Sequence, residues 1–490
     1  MIQPILIYLV VSLLLSGLQF LNRSRAISNS LSLIFLLLQW LLTAHAVSAI
    51  GTTELQFFRY DALSVLTTCV LTIIATAAFA HSSHYITSAD MKKDGVMRAQ
   101  YNGAMQLLTM ALTMAYMSIH IATTWIFVEI TTLSASALIF YRRNAGSIEA
   151  TWKYVFACSI SLVFVYVGIL FFSIAMGEIG ATGLTIDELL EKAREMDTFW
   201  VKLAFIFIFV GYTAKMSLVP MFTAGIDAKD KAPTPAAAML SSVVMNAGFV
   251  GFFRVYGIVA QTDAKAWADM VVLLTGLASI FVAAVYLVRV HNVKRLFAYS
   301  SVEHMGVIML GIAAGGIGIY AAILHLILHA FAKSAVFMHI GHLYRIFGTK
   351  DFSRMGRYVK YSNIGTSIVI IATLCITAMP PSGLFVTEFM VVGSLIKSQY
   401  WVPLVVALVL LTIIVWAISR DMFSLLFLPP TDPISRRNEK AKLPWYELFF
   451  QMLLLALSIW SGMCTPDCID ALISDAAFGT VSGSTINIFF

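Results

Sequence analysis

The stretch VKLAFIFIFVGYTAKMSLVPMFT, residues 201–223, is long and apolar enough to cross a bilayer, yet it carries Lys215 near its middle and Pro220 shortly after. A membrane span needs about 20 mainly apolar residues. A charge at the centre of a span costs about 2.5–3.5 kcal/mol or more. Four further charged residues lie inside apolar runs in the same way: Glu129, Glu303, Lys333 and Glu388. Five such charges predict an ion or proton pathway inside a membrane.

The composition of the whole chain agrees with this prediction. Of its 490 residues, 59% are hydrophobic and 12% are charged, and the mean hydropathy is +0.86. Soluble domains carry about 25% charged residues. The sequence therefore predicts an all-α polytopic membrane protein with about 14 transmembrane helices in a lipid bilayer, numbered here as spans 1 to 14.

The distribution of basic residues predicts how the spans are oriented. The first span has no basic residue before it and is followed by Arg23 and Arg25, the reverse of a secretory signal peptide. With the N-terminus outside, the connections that face the cytoplasm hold 22 of the 32 Lys and Arg residues. The positive-inside rule favours this layout, with both termini outside. The layout also accounts for the net charge of +6, so nucleic-acid binding has no support.

Two predicted spans are interrupted by proline at corresponding places. Pro220 breaks span 7 just after Lys215, and Pro380 with Pro381 breaks span 12 just before Glu388. Each broken span is the fourth of a five-span block, and paired broken helices indicate inverted repeats around a central ion site. The expected units are spans 1–3 (1–100), a first repeat of spans 4–8 (101–258), a second repeat of spans 9–13 (266–428), and span 14 with an external C-terminal tail (443–490).

Glu129 in span 5 and Lys215 in span 7 are candidates for a buried pair. Burial favours the neutral form of each group, whereas pairing favours the charged forms. Such a pair could exchange a proton if the contact is made and broken. The alternative is a static ion pair that joins two helices.

A stripe of titratable residues follows in span 11, where His325, His329 and Lys333 are spaced by four. At 1.5 Å per residue this stripe is about 12 Å long, and imidazole is well suited to passing protons near neutral pH. The two histidines could instead ligate a metal or haem, or be hydrogen-bonded core residues. Glu303 and His304 add an acid and an imidazole in span 10.

The remaining polar residues predict no cofactor. The five cysteines are scattered, with no iron–sulfur cluster motif, and no phosphate-binding loop or metalloprotease motif is present. We therefore expect this chain to bind neither a cofactor nor a metal.

Two groups of polar residues are interpreted as surface features. Lys229 and Lys231 alternate with acids in a solvated loop, and His339, His342 and Arg345 are surface anchors at the end of span 11.

Several motifs together resemble a known group of proteins. KMSLVPMFTAGIDAKDKAPTP (215–235), HNVKRLFAYSSVEHMGVI, LHLILHAFAKSAVF and PPSGLFVTEF are similar to the antiporter-like subunits of respiratory complex I, of Mrp cation/proton antiporters and of membrane-bound NiFe hydrogenases. The resemblance covers roughly residues 60–430. EHMG, Asn246 and the acid of TEF are most similar to component F of hydrogenase-4, a part of formate hydrogenlyase-type complexes.

The resemblance implies a non-redox subunit that translocates protons, or Na⁺, while redox chemistry occurs elsewhere. Such a subunit belongs to an oxidoreductase complex but has no catalytic redox site of its own. Its expected partners are other membrane subunits and a peripheral hydrogenase-like or NADH dehydrogenase-like arm on the cytoplasmic side of a prokaryotic inner membrane. The residues that match the family's coupling pair, relay and outlet are Glu129 and Lys215, then His325, His329 and Lys333, then Glu388.

Two departures from the family pattern bear on activity. Asn246 stands where complex I subunits usually have a lysine in span 8, and an amide cannot release a proton. The loop after span 7 also lacks the usual HTWLPDAH motif. Two alternatives to a hydrogenase subunit follow. One is a proton-pumping subunit of NADH:quinone oxidoreductase or an Mrp-type Na⁺/H⁺ antiporter subunit, and the other is a non-pumping membrane scaffold.

Overall fold

A computed structural model describes residues 3–88, 95–432 and 445–482. In these ranges the chain forms nineteen α-helices, two short 3₁₀ turns and one small hairpin. The helices are α1 (Pro4–Leu21), α2 (Arg25–Ser48), α3 (Ala62–Ser88), α4 (Gly95–Met117), α5 (Ile121–Phe140), α6 (Ala145–Glu178), α7 (Ile186–Glu191), α8 (Thr198–Met216), α9 (Thr223–Lys231), α10 (Thr234–Ser241), α11 (Val243–Val259), α12 (Lys265–Leu287), α13 (Val293–Ala314), α14 (Ile317–Phe347), α15 (Asn363–Ile376), α16 (Gly383–Lys397), α17 (Trp401–Phe427), α18 (Trp445–Met463) and α19 (Asp467–Ser482). The hairpin pairs β1 (Thr53–Glu54) with β2 (Phe58–Arg59).

The predicted all-α membrane fold is confirmed. Among the described residues, twelve helical segments are long and apolar enough to cross a membrane. The 23-residue helix α4 and the interrupted segment α15–α16 account for the other two predicted spans. Residues 433–444, which include most of the predicted cytoplasmic connection between spans 13 and 14, lie outside the described residues.

The helices form a buried centre surrounded by a lipid-facing shell. The 18-residue windows of α10–α11, α13 and α14 are entirely buried, whereas those of α1, α2 and α17 are only 28–33% buried. Small residues let the central helices approach closely, as is usual between membrane helices. A Cβ atom on Gly306 of α13 would lie only 2.8 Å from the carbonyl oxygen of Gly276 on α12. Most of the polar residues discussed below lie in this buried centre, whereas Glu129 of α5 and Glu388 of α16 are only partly buried.

The break predicted at Pro220 separates α8 from α9. The helix ends at Met216, and Ser217 takes a left-handed conformation with φ of 57°. The backbone N–H of Leu218 then donates to the carbonyl of Thr213 at 2.9 Å, closing the last turn. The N–H of Val219, freed by the break, donates to Ser279 Oγ on α12 at 3.1 Å, and the next residue is Pro220.

The break predicted at Pro380 and Pro381 separates α15 from α16 and repeats this geometry. Ala378 is left-handed with φ of 46°, and the N–H of Met379 donates to the carbonyl of Leu374, again at 2.9 Å. In both breaks a left-handed residue, a closing hydrogen bond and a proline follow one another in the same order.

A third break, which the sequence did not predict, divides span 8 into α10 and α11 at Ser242. Tyr116 donates its hydroxyl to the carbonyl of Val243 at 2.6 Å, and Ser334 of α14 donates to Ser242 Oγ at 3.0 Å. The break therefore has hydrogen-bond partners on α4 and α14. It contains neither glycine nor proline, so the local sequence gives no signal for it.

The residues after span 14 form a helix where the sequence predicted only an external tail. Ile473, Ala476 and Ala477 of α19 are buried, and Tyr320 of α14 donates its hydroxyl to Asp470 at 2.5 Å. Residues 443–444 and 483–490 of the predicted C-terminal unit lie outside the described residues.

Candidate functional site

Lys215 lies in the last turn of α8 and is 3% exposed. Its ammonium donates to Thr132 Oγ1 at 2.7 Å and to Thr131 Oγ1 at 3.2 Å, both on α5. It also lies 5.6 Å from the centroid of the Tyr154 ring, close enough for a cation–π contact. Hydroxyls and an aromatic face therefore solvate this buried charge.

Glu129 is close to Lys215 but is not in direct contact with it. Its carboxylate accepts hydrogen bonds from Ser159 at 2.9 Å and from Thr132 at 3.1 Å. No carboxylate lies within 4.0 Å of the Lys215 ammonium among the described residues. The expected Glu129–Lys215 ion pair is therefore replaced by a bridge through the Thr132 hydroxyl, which touches both groups.

A second cluster is built from three imidazoles on two helices. His304 Nδ1 of α13 lies 3.1 Å from His325 Nε2 of α14. The ring centroid of His304 is 5.2 Å from those of both His325 and His329. His304 therefore lies between the two histidines that the sequence placed on one stripe, and the three rings are fully buried.

Glu388 of α16 completes one end of this cluster. His325 Nδ1 lies 2.8 Å from Thr387 Oγ1, and the ligand atoms of His304, His325 and Glu388 lie within 4.8 Å of one another. Both nitrogens of His325 have hydrogen-bond partners, whereas those of His329 and Nε2 of His304 make no hydrogen bond to another described residue. The converging side chains offer groups for a proton relay, and the metal alternative left open by the sequence has its donors in His304, His325 and Glu388.

Lys333 and Glu303 also belong to this cluster, and both are buried. Glu303 interacts electrostatically with Glu388 as well as with Lys333. The Lys333 ammonium donates to the carbonyl of Phe297 at 3.1 Å and lies 5.8 Å from the centroid of its ring. Glu303 Oε1 lies 3.5 Å from His304 Nδ1. The acid and imidazole of span 10 thus join the residues of span 11, as the sequence suggested.

Asn246 lies in α11, two residues before Gly248 and four residues after Ser242. Its helix packs on α8, since a Cβ atom on Gly248 would lie 2.8 Å from the Cβ atom of Lys215. The Asn246 side chain is fully buried, and neither its oxygen nor its nitrogen makes a hydrogen bond to another described residue. Because an amide does not titrate, Asn246 cannot itself hold and release a proton.

Lys229 of α9 lies beside Met245, the residue before Asn246, and its burial was not predicted from the sequence. The prediction of a solvated loop is wrong for this residue, which is 1% exposed. Its ammonium donates to Ser217 Oγ at 3.1 Å and lies 3.3 Å from Met245 Sδ. The alternation of acidic and basic residues is typical of an exposed segment, so the sequence did not indicate that the Lys229 side chain is buried.

Its neighbour Asp230 points instead to a basic cavity of about 620 Å³ at the end of α9. The carboxylate lies 3.0 Å from the Lys350 ammonium and 3.2 Å from that of Lys231. Desolvation raises the pKa of Asp230, but the charges of Lys350, Lys231 and Lys294 outweigh it and hold the pKa at about 2. This carboxylate is therefore ionised and acts as the counter-charge of the cavity.

A third polar cluster lies where α14 meets α15 and α18, and it includes the predicted surface anchors. His339 and His342 are only 3% and 2% exposed, so that prediction is wrong for both. His339 lies 2.8 Å from Gln451 Oε1 and 3.0 Å from Tyr358 Oη, and His342 Nδ1 lies 2.7 Å from the same Tyr358 oxygen.

Arg345 continues this cluster with a two-pronged contact. It donates to both carboxylate oxygens of Glu447 on α18, at 3.0 and 3.1 Å. The Glu447 side chain is fully buried and that of Arg345 is 14% exposed. Arg345 therefore holds α18 against α14, which is a structural role in the protein interior.

Comparison with known proteins gives three related findings. A family model described as "NADH:quinone oxidoreductase/Mrp antiporter, TM" matches residues 118–414. The hydrogenase-4 component F homolog of Methylacidiphilum infernorum is 30% identical over 69% of this chain and 72% of its own length. Hydrogenase-4 component B of Escherichia coli is 25% identical over 68% of this chain and half of its own length.

Among solved structures, a chain of the Mrp complex from Dietzia sp. superposes with a TM-score of 0.84. The match covers 98% of this chain and 97% of that chain at 16% identity. At this identity the likeness is one of fold, and it extends over nearly the whole molecule.

Proposed function

Because the chain belongs to the NADH:quinone oxidoreductase/Mrp antiporter transmembrane family, we propose that it is a proton-translocating, non-redox subunit of a multisubunit membrane hydrogenase complex of the hydrogenase-4 or formate hydrogenlyase type. The observation that carries the proposal is the set of buried titratable groups Lys215, Lys333, Glu303, His304, His325 and His329, with the partly buried Glu388 at its end. Intramembrane ionisable residues are costly and are the usual marks of an ion pathway. The hydrogenase assignment is supported by similarity to hydrogenase-4 components.

In this proposal the two clusters act in sequence. Lys215, bridged to Glu129 through the Thr132 hydroxyl, binds and releases a proton at one end of the pathway. The imidazoles of His329, His304 and His325 pass protons by exchanging them between donor and acceptor nitrogens. Glu388 is the residue from which protons leave the pathway. Lys333 and Glu303 set the net charge beside the imidazoles.

The organisation of the chain is proposed on the same basis. Its matching breaks at Ser217–Pro220 and Ala378–Pro381 support two inverted repeats, 101–258 and 266–428, between an N-terminal unit (1–100) and a C-terminal unit (443–490). The basic connections support an orientation with both termini outside, and similarity to bacterial hydrogenase-4 components supports a prokaryotic inner membrane. Partners would be other membrane subunits and a hydrogenase-like arm on the cytoplasmic side, and no redox cofactor is assigned to this chain.

Lys215→Ala tests the proposal. The variant replaces the native chain in its own cells, from which inverted membrane vesicles are prepared. Hydrogen turnover is measured as hydrogen produced from formate or as hydrogen consumed. Proton uptake into the vesicles is followed with an acridine dye. Assembly of the complex should be retained while proton uptake per hydrogen molecule is lost. Lys202→Ala on the same helix, where the lysine stacks on Trp267, is the matched control. Undiminished uptake in Lys215→Ala would contradict the proposal.

The co-purifying chains test the assignment to a hydrogenase. A tagged chain should bring down a subunit with two CxxC pairs that bind nickel. Ion movement driven by NADH, without such a subunit, would instead favour the NADH:quinone oxidoreductase alternative. Na⁺/H⁺ exchange that needs neither NADH nor hydrogen turnover would favour the Mrp alternative.

A non-pumping scaffold is the second candidate, because Asn246 interrupts the titratable series and Glu129 does not touch Lys215 directly. A scaffold predicts normal hydrogen turnover with no proton uptake even in the native complex.

A further inference from the structure

The proposed pathway has a gap between Lys215 of α8 and the His329 and Lys333 side chains of α14. Helix α11 contacts both regions, because its Gly248 packs on Lys215 and Ser242 at its start accepts a hydrogen bond from Ser334, next to Lys333. The buried polar residue of α11 between these two contacts is Asn246, whose amide cannot take up and release a proton. A proton crossing this gap therefore needs another titratable group.

Lys229 reaches into this gap from α9. Its ammonium touches Ser217, two residues beyond Lys215, and lies 3.3 Å from the sulfur of Met245, the residue next to Asn246. Its charge also acts on both His329 and Lys333. Lys229 thus contacts the residue two positions after Lys215 and lies within electrostatic range of His329 and Lys333.

The surroundings of Lys229 do not resemble those of a structural ion pair. No carboxylate lies within 4.0 Å of its ammonium in the described part of the chain, because the adjacent Asp230 points to Lys350 and Lys231. Its contacts are one hydroxyl and one thioether. Burying an unpaired charge costs several kcal/mol, whereas a methionine of similar length would fit among these neighbours without that cost. Stability therefore gives no reason for a lysine here.

We propose that Lys229 is the titratable group that carries protons between the Lys215 cluster and the His329–Lys333 cluster, a step that Asn246 cannot perform. The inference rests on the proposed function of the chain. The neutral amine accepts a proton from the Lys215 side and becomes an ammonium, then releases the proton toward the His329 imidazole. Only N–H bonds form and break, and no group is oxidised or reduced.

Three substitutions at this position separate a relay from a fixed charge, using the vesicle assay described above. Lys229→Met removes the titratable group but keeps the bulk, and should reduce proton uptake per hydrogen molecule about tenfold or more. Lys229→Arg keeps the charge, but arginine does not release its proton in proteins, so it should fail to the same extent. Lys229→His restores a titratable group and should retain uptake.

A second-site variant tests the position of the step. Adding Asn246→Lys to Lys229→Met places a titratable amine in the same gap from the opposite helix, and should restore uptake at least in part. Lys231→Met, two residues along α9 and 39% exposed, is the matched control and should behave as the native chain.

The outcomes are distinct. Native uptake in Lys229→Arg would overturn the inference, because a fixed charge would then suffice. Native uptake in Lys229→Met, in vesicles where Lys215→Ala has lost it, would also overturn the inference while leaving the proposed function intact. Native uptake in Lys215→Ala would overturn the proposed function itself. If Lys229→Met does not assemble, the contrast between the arginine and histidine variants decides.

Discussion

His304 Nδ1 lies 3.1 Å from His325 Nε2, although the two imidazoles belong to different helices. Along α14, His325 and His329 are separated by about 6 Å of helix rise, and both side chains lie on the same face of the helix. The His304 ring lies 5.2 Å from each of them, centroid to centroid. The relay is therefore built across two helices, with His304 at its centre.

His304→Leu should interrupt this relay. The leucine fills the buried space but offers no nitrogen to either neighbour, so proton uptake per turnover should fall about tenfold or more. The measurement is dye quenching in vesicles with matched amounts of assembled complex. His45→Leu is the control, because His45 is 38% exposed and pairs with Glu54 outside the relay. Unchanged uptake in His304→Leu would show that protons bypass the imidazoles.

Thr132→Val should uncouple Glu129 from Lys215. Valine has the shape of threonine but lacks the hydroxyl that touches both groups, so each loses a hydrogen bond worth about 1.5–3 kcal/mol when one partner is charged. We expect reduced proton uptake with normal assembly. Thr132→Ser retains the hydroxyl and should restore most of the uptake. Equal uptake in the valine and serine variants would rule out a role for the bridge.

Glu447→Gln should destabilise the packing of α18 on α14. The substitution leaves Arg345 largely buried without its carboxylate, and breaking a buried ion pair in this way costs about 3–5 kcal/mol. Thermal unfolding of the purified complex in detergent measures the loss. Glu149→Gln, which removes an exposed pair with Lys153, should leave the melting temperature unchanged. A similar melting temperature for both variants would contradict the structural role assigned to Arg345.

Asp230→Asn should reduce stability at neutral pH but not in acid. The pKa of Asp230 is lowered from 3.8 to about 2 in the folded protein, which corresponds to about 2 kcal/mol of stabilisation. A lowered carboxyl pKa stabilises fully above the unfolded value near 4, and this contribution is lost as the pH falls through about 2. The difference in melting temperature between native and variant chains should therefore shrink below pH about 4. A difference independent of pH would contradict this.

Much of the fold and part of the site could be predicted from the sequence, because the bilayer imposes simple rules. Apolar length gave the spans, and the prolines gave the breaks in spans 7 and 12. Charges within spans are rare enough that Lys215 and Lys333 stood out without any knowledge of the fold.

The missed features depend on contacts between distant segments. Thr132 looks like any helical threonine until its hydroxyl is seen between Glu129 and Lys215. Lys229 follows an acid-rich pattern typical of solvated loops, and its burial depends on how α9 packs beside α11. The break at Ser242 is stabilised by hydrogen bonds from Tyr116 and Ser334 on other helices, so no neighbouring residue in the sequence predicts it.

The interruption of span 7 also has an electrostatic consequence. In an uninterrupted helix Lys215 would lie in the interior, where successive peptide dipoles cancel. Because α8 stops at Met216, Lys215 lies in its final turn, where carbonyl groups without partners carry about half a negative charge. A cation there gains about 0.3–1 kcal/mol, and up to about 2 kcal/mol when partly buried. The backbone itself thus supplies part of the negative counter-charge for an ammonium that has no carboxylate beside it.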